Sequence, residues 1–190
     1  MNNESLPHKV RLAYHEVGHA VMAIEKQIEV YELTIPSRKN MRKSRFAMLG
    51  ELHNLRSPHW PDLCRAVDRY VLFRLAGPAA EWTRLEKHHA LAPGSDEQIR
   101  LRDRFRGERV FKSQVDFDAS YAFLTAWMFA ENGAEVNQLV DRYWLQACDA
   151  WGYGLMWAKV EQIARALLAN GSLMREEVHS LYGESFSSLS

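Results

Sequence analysis

The sequence is short of cysteine, of unbalanced charge and of long apolar runs, and each shortage removes a class of protein. Two cysteines, Cys64 and Cys148, are too few for a disulfide framework, and their spacing fits no metal-binding pattern. They read as reduced core thiols. Lys and Arg number 24, as do Asp and Glu, so the formal net charge is zero. That balance gives no general attraction to nucleic acid or to an anionic membrane. Arg100, Arg102, Arg104, Arg106 and Arg109 do cluster, but Asp96, Glu97, Asp103 and Glu108 are interleaved among them. The segment therefore reads as a solvated charged face, with no nucleic acid as partner. No stretch approaches the roughly 18 uncharged apolar residues that span a bilayer. MNNESLPHKVRL lacks the apolar centre of a secretory signal. A cytoplasmic protein without a membrane segment is expected. No GxxxxGK[ST] phosphate loop occurs, so the sequence carries no ATPase of that kind.

What remains is an ordinary globular composition over 190 residues, 47% of them hydrophobic. That length suits one domain, residues 1–190, with a real core. Helical spacing of Leu12, Val17, Val21 and Ile24 predicts a first helix over 6–26. IEVYELTIP, 28–36, alternates and reads as a strand, and FAMLGEL, 46–52, as a second strand that pairs with it. SPHWPD, 57–62, marks a helix start, and the helix that follows meets Gly77-Pro78, which should kink it or split it in two. Residues 87–110 are expected to be a charged surface excursion with one short helix near 96–104. Helices are expected from Asp116 to about 130, over 134–150, and from Met156 to the Asn170-Gly171 stop. SLMREEVHSLYG, 172–183, reads as a short final helix, and 185–190 should fray. Trp127, Trp144, Trp151 and Trp157 fall at helical positions and read as core. The fold class expected is mostly α, with a small β-hairpin or short sheet near the N-terminus.

One stretch carries chemistry. AYHEVGHAVMA, 13–23, puts His15 and His19 four residues apart, with Glu16 between them. On a helix that spacing stacks both imidazoles on one face, where they can share a metal ion. Glu16 lies about 100° around the helix from His15. It suits a general base acting on water at the metal's open position. Zinc fits nitrogen and oxygen ligands and lowers the pKa of its water. Gly18 sits mid-helix, where it costs about 1 kcal/mol against alanine, so a close neighbour is expected there. The spacing alone does not name a third ligand. Asp116, Asp118 and Glu81 are the carboxylates that a later helix can aim at the pair. His53, His59, His88 and His89 read as surface histidines in loops.

These pieces together resemble the peptidase domain of the FtsH family of ATP-dependent zinc proteases. AYHEVGHAVMA resembles that family's AxHExGHA helix. VYELTIPSR resembles its following strand, LAGPAAEW its LxGRAAEE helix, and AKVEQIARALLANGSLMREEV its C-terminal pair of helices. The order agrees over almost the whole chain. The family's third zinc ligand is an aspartate that opens a helix. In VDFDASYAF the resemblance favours Asp116 slightly, with Asp118 as the alternative. It makes Glu81 a carboxylate that orients a metal-bound histidine rather than a ligand. Pro78 and Trp82 depart from the family pattern, as does the charged stretch before Asp116.

The resemblance implies an FtsH-peptidase-like domain that hydrolyses peptide bonds. His15, His19 and Asp116 would hold zinc, and Glu16 would serve as base. With no ATPase in the sequence, the substrate would be a peptide or an already unfolded protein, or would be delivered by a separate ATPase partner. Homo-oligomers are a further expectation, since the family's peptidase domains pack in rings. The strand at 28–36 is expected to offer an edge for an extended substrate. The competing expectation is a catalytically silent zinc-binding module of the same fold.

Overall fold

The computed structural model describes residues 6–35, 44–46, 60–107, 113–128, 133–152 and 154–184. Among these the protein is mostly helical, with a small three-stranded antiparallel sheet built around a strand near the N-terminus. Helix α1 spans His8–Glu25, strand β1 Val30–Thr34 and β2 Arg45–Phe46. Then come α2 (Trp60–His89), α3 (Asp96–Gly107), α4 (Ser113–Met128), α5 (Gly133–Gly152) and α6 (Gly154–Asn170). Strand β3 (Ser172–Met174) and α7 (Arg175–Glu184) close the order.

Helix α1 is the centre of the molecule. Every residue from Leu12 to Ala23 is buried, including His15, Glu16 and His19. A helix buried all round must find neighbours on every face. It packs along α2, against α6 and onto β1. The approach to α2 is closest at Gly18. A Cβ there would lie 2.5 Å from the Ala76 carbonyl oxygen and 2.6 Å from the Ala80 Cβ. The close neighbour expected from the sequence is thus the backbone of α2.

Helix α2 runs unbroken for 30 residues, with Pro78 inside it. The expectation that Gly77-Pro78 splits this helix is therefore corrected. Proline removes one N–H and crowds the carbonyl four residues back, at about 3 kcal/mol. Ala76, Ala79, Ala80 and Glu81 are all buried on the turns around it, and that packing outweighs the defect. His88 and His89 end this helix rather than lying in a loop, and their rings meet edge to face. Beyond it, α3 is longer than the short helix expected. It exposes Arg100 and Arg104 but buries Phe105, whose ring lies 5.6 Å from that of Trp82.

The sheet order is β2-β1-β3. Strand β1 is therefore central, and the expectation that it offers a free edge is corrected. Its second partner is β3, within the SLM stretch expected to be helical. Asn170 ends α6, and Gly171 turns the chain in the left-handed conformation, φ 79°. Ile35 N–H then donates to the Gly171 carbonyl at 3.0 Å, and Leu33 pairs with Leu173. On the other side Val30 opposes Phe46 across a bulged register. The remainder of the second expected strand (47–52), the start of the 57–62 signal, His53, His59 and the tail at 185–190 lie outside the described residues.

Trp144, Trp151 and Trp157 are buried, and Trp127 packs partly buried against the same core. Both cysteines are free and half-buried. Among the described residues no helix is long and apolar enough to cross a membrane.

Candidate metal centre

Helix α1 supplies two imidazoles on one face, as the four-residue spacing requires. His15 is wholly buried and His19 is 6% exposed. Helix α4 begins at Ser113, three residues earlier than expected, which places Asp116 in its first turn, buried at the end of the pair. His15 Nε2 lies 3.0 Å from Asp116 Oδ2, and His19 Nε2 lies 3.5 Å from the same oxygen. The two Nε2 atoms are 3.2 Å apart. His15, His19 and Asp116 therefore form a three-donor group that can hold a metal ion.

The outer atoms of each ligand are tied down. His19 Nδ1 lies 2.8 Å from the Phe73 carbonyl, which can only accept, so Nδ1 carries the proton. His15 Nδ1 lies 3.3 Å from Glu81 Oε2 and donates to it in the same way. Arg11 grips the other oxygen of Glu81 at 2.7 Å. Arg74 Nη1 donates to Asp116 Oδ1 at 2.9 Å. With both imidazoles neutral, these bonds leave each Nε2 as a bare lone pair. Two lone pairs and a carboxylate oxygen then face one another in a buried space. That arrangement repels itself unless a cation or a proton sits among them.

The titration behaviour has the same origin. Burial alone would lower the His15 pKa, but hydrogen bonds to Asp116 and Glu81 outweigh it and raise the value above 6.5. Burial alone would raise the Asp116 carboxyl. When a proton occupies this space, the positive charge at His19 and the hydrogen bonds from the imidazoles override it and hold the carboxyl well below the usual carboxylate range.

The separations fit a zinc-sized ion. Ligand bonds of about 2.0–2.1 Å in a tetrahedron set donor atoms about 3.3 Å apart. The three observed spacings are 3.0, 3.2 and 3.5 Å.

Of the other sequence candidates, Glu16 is on α1 with 3% exposure. Glu81 is brought to the site but stands behind His15 rather than among the donors. Asp118 is not brought to it. It is exposed and accepts from Gln114 Nε2 at 2.8 Å one turn back. Sequence reasoning missed Arg11, Arg74 and the Phe73 carbonyl. A lone arginine on a helix gives no signal of this role, and a carbonyl gives none at all. It also missed why Gly77 is glycine. A Cβ there would strike Nε2, Cε1 and Cδ2 of His19. The absent side chain of Gly77 thus lets the His19 ring pack closely against that helix.

A separate cleft of about 710 Å³ opens on another face of α2, walled by Trp82, Trp144 and Trp151 and rimmed by Glu86, Arg102 and Asp149. No family model matches the chain, and no curated protein matches it.

Proposed function

We propose that the protein is a zinc-dependent endopeptidase of the FtsH-peptidase-like kind. The observation that carries this reading is the convergence of His15 Nε2, His19 Nε2 and Asp116 Oδ2 within 3.0–3.5 Å of one another. The two histidines come from a buried helix that also carries Glu16 directly after the first of them.

Zinc, when bound, acidifies water and polarises a substrate carbonyl. The protein's own residues do the rest. Glu81, held by Arg11, fixes His15 with its Nε2 toward the centre. The Phe73 carbonyl does the same for His19. Glu16 accepts the proton of the attacking water and passes it to the departing amine, so charge balances across the cycle. Burial of this helix keeps bulk water from competing for that proton. Among the described residues strand β2 is one edge of the sheet. Its Phe46 ring lies 6.3 Å from that of His19 and 4.9 Å from that of Phe73. An extended segment of an unfolded protein or peptide can add to this edge by main-chain hydrogen bonds.

The test is metal analysis of protein purified without a histidine tag, together with cleavage of an unfolded casein-like substrate. Glu16→Gln keeps stoichiometric zinc and loses hydrolysis by at least about 100-fold, the scale of a lost general base. Undiminished cleavage by that variant would refute the mechanism. Stoichiometric zinc with no cleavage by the parent would instead identify a silent binding module, a reading favoured by the depth of the site.

A further inference from the structure

Asp116 is divided between two partners. Its Oδ2 faces both imidazoles, at 3.0 and 3.5 Å, while its Oδ1 accepts from Arg74 Nη1 at 2.9 Å. Asp116 as a whole is only 4% exposed. Arg74 stands on α2, one turn before Gly77, and reaches across to α4. Its own position is fixed by a second contact on α2. Its Nε donates to Tyr70 Oη at 3.4 Å, and its guanidinium lies 5.8 Å from the Tyr70 ring centre. Tyr70 in turn packs on Phe123 of α4, ring centres 4.4 Å apart. The guanidinium is thus held between the two helices whose spacing it spans.

A carboxylate can bind a metal through one oxygen or through both. A second oxygen would fill the position that water or a substrate carbonyl needs in an open site. Here the second oxygen is engaged in a charge-assisted hydrogen bond. Swinging it toward a cation would either break that bond or draw the guanidinium charge toward the metal's. We propose that Arg74 is a positioning residue: it confines Asp116 to one ligating oxygen and so keeps a coordination position open. This rests on reading the cluster as a metal centre. It assigns Arg74 a role different from that of Glu81 and Arg11, which orient a ligand without limiting how many atoms it offers.

The distinction can be measured without turnover. Parent, Arg74→Gln, Arg74→Met and Arg74→Lys proteins are loaded with cobalt(II) as a spectroscopic probe and, separately, with zinc. Visible absorption reads the cobalt geometry, X-ray absorption the zinc coordination number, and chelator competition the affinity. The parent should show intense cobalt bands of a four-coordinate site. Gln and Met variants should show weaker bands and a coordination number higher by about one, as Asp116 adds its second oxygen. Their zinc affinity should stay within about threefold of the parent or rise, whereas loss of a residue that merely supports a ligand lowers affinity about 10–100-fold. Lys, which retains a charged donor, should restore the parent spectrum. Two results overturn the proposal while leaving the metal centre standing: spectra unchanged in Gln and Met, or affinity falling 10-fold or more without a change in coordination. A parent that takes up neither metal overturns the metal centre itself, and this inference with it. If Gln fails to fold, Met decides the matter, since it keeps the apolar stem that packs on Tyr70.

Discussion

Replacing Gly77 with alanine should separate metal binding from stability. Gly77 lies inside α2 with its missing side chain directed at His19. A Cβ would stand 2.7 Å from His19 Cε1 and 2.8 Å from Cδ2. Carbon atoms rest at about 3.5–4.0 Å, so the ring must retreat by about 0.7 Å or more. It cannot swing away freely, because its Nδ1 is bonded to the Phe73 carbonyl at 2.8 Å. Metal–ligand bonds tolerate only about 0.2 Å, so a retreat of that size removes one of three protein ligands. Affinity should fall by at least about 100-fold, which is about 2.7 kcal/mol. Stability behaves differently. Alanine gains about 1 kcal/mol over glycine in a helix interior. The overpacking costs about 1–3 kcal/mol, so metal-free Gly77→Ala should be within about 2 kcal/mol of the parent. Chelator competition for zinc measures the first quantity, and urea unfolding in excess chelator measures the second. A variant that binds zinc as tightly as the parent would refute the proposed ligand role of His19. So would one whose affinity falls only in proportion to its stability.

Three further outcomes follow from the same geometry. Asp116→Asn should lower zinc affinity by at least about 100-fold, while Asp118→Asn leaves it unchanged, because losing a ligand exceeds the 10–100-fold effect of an outer partner. Equal effects in an equilibrium titration would contradict the placement of these two residues. In chelated protein, the His15 pKa is raised above its unfolded value of 6.5, so its stabilisation is fully present below that pH and is lost as pH rises through the folded value. Asp116 works in the opposite direction: its lowered pKa stabilises above 3.8, and that contribution fades only as pH falls toward the folded value. Melting of chelated protein should therefore peak between these limits, and zinc affinity should climb with pH as binding displaces the shared proton. A melting temperature that rises steadily from pH 5.5 to 8.5 in chelator would count against this. Finally, Gly18→Ala should destabilise by about 2 kcal/mol with or without metal, because its Cβ meets the backbone of α2, which cannot step aside, so the cost lies at the upper end of overpacking and outweighs alanine's gain of about 1 kcal/mol in helix propensity.

How much of this was legible in the sequence depends on how local the signal was. The pairing of His15 with His19 was readable because one helical turn brings them together, and a helix is a local structure. The mostly helical class was readable from apolar spacing for the same reason. Asp116 against Asp118 was not settled by pattern. Both stand near the start of one helix, and which one turns inward depends on how α4 packs against α2 and α5. The unbroken α2 was misjudged because proline's cost is a local quantity, whereas the packing that outweighs it comes from α1. The place of β3 beside β1 was missed for a related reason. Three residues carry too little periodicity to distinguish a strand from the start of a helix, and their partner is more than 130 positions away.

The two glycines make the same point about cause. Both look like weaknesses in their helices when each helix is judged alone. Gly18 lets the α2 backbone approach α1, and Gly77 lets a ring from α1 approach α2. Each small residue is explained only by the other helix. The His19 ring is fixed from both sides of this crossing: the Phe73 carbonyl holds its outer nitrogen, and the absent side chain of Gly77 gives its face room. Trp151 then closes the crossing from behind, its indole N–H donating to the Ala76 carbonyl at 3.3 Å, the same oxygen that lies over Gly18. A buried polar group without a partner is expensive. Placing donors and acceptors from three helices on one turn of α2 satisfies that demand and fixes the imidazole in the same act. The geometry a metal would require is thus built by packing that folding needs anyway. That is why substitutions at Gly18 should register as stability and those at Gly77 as affinity.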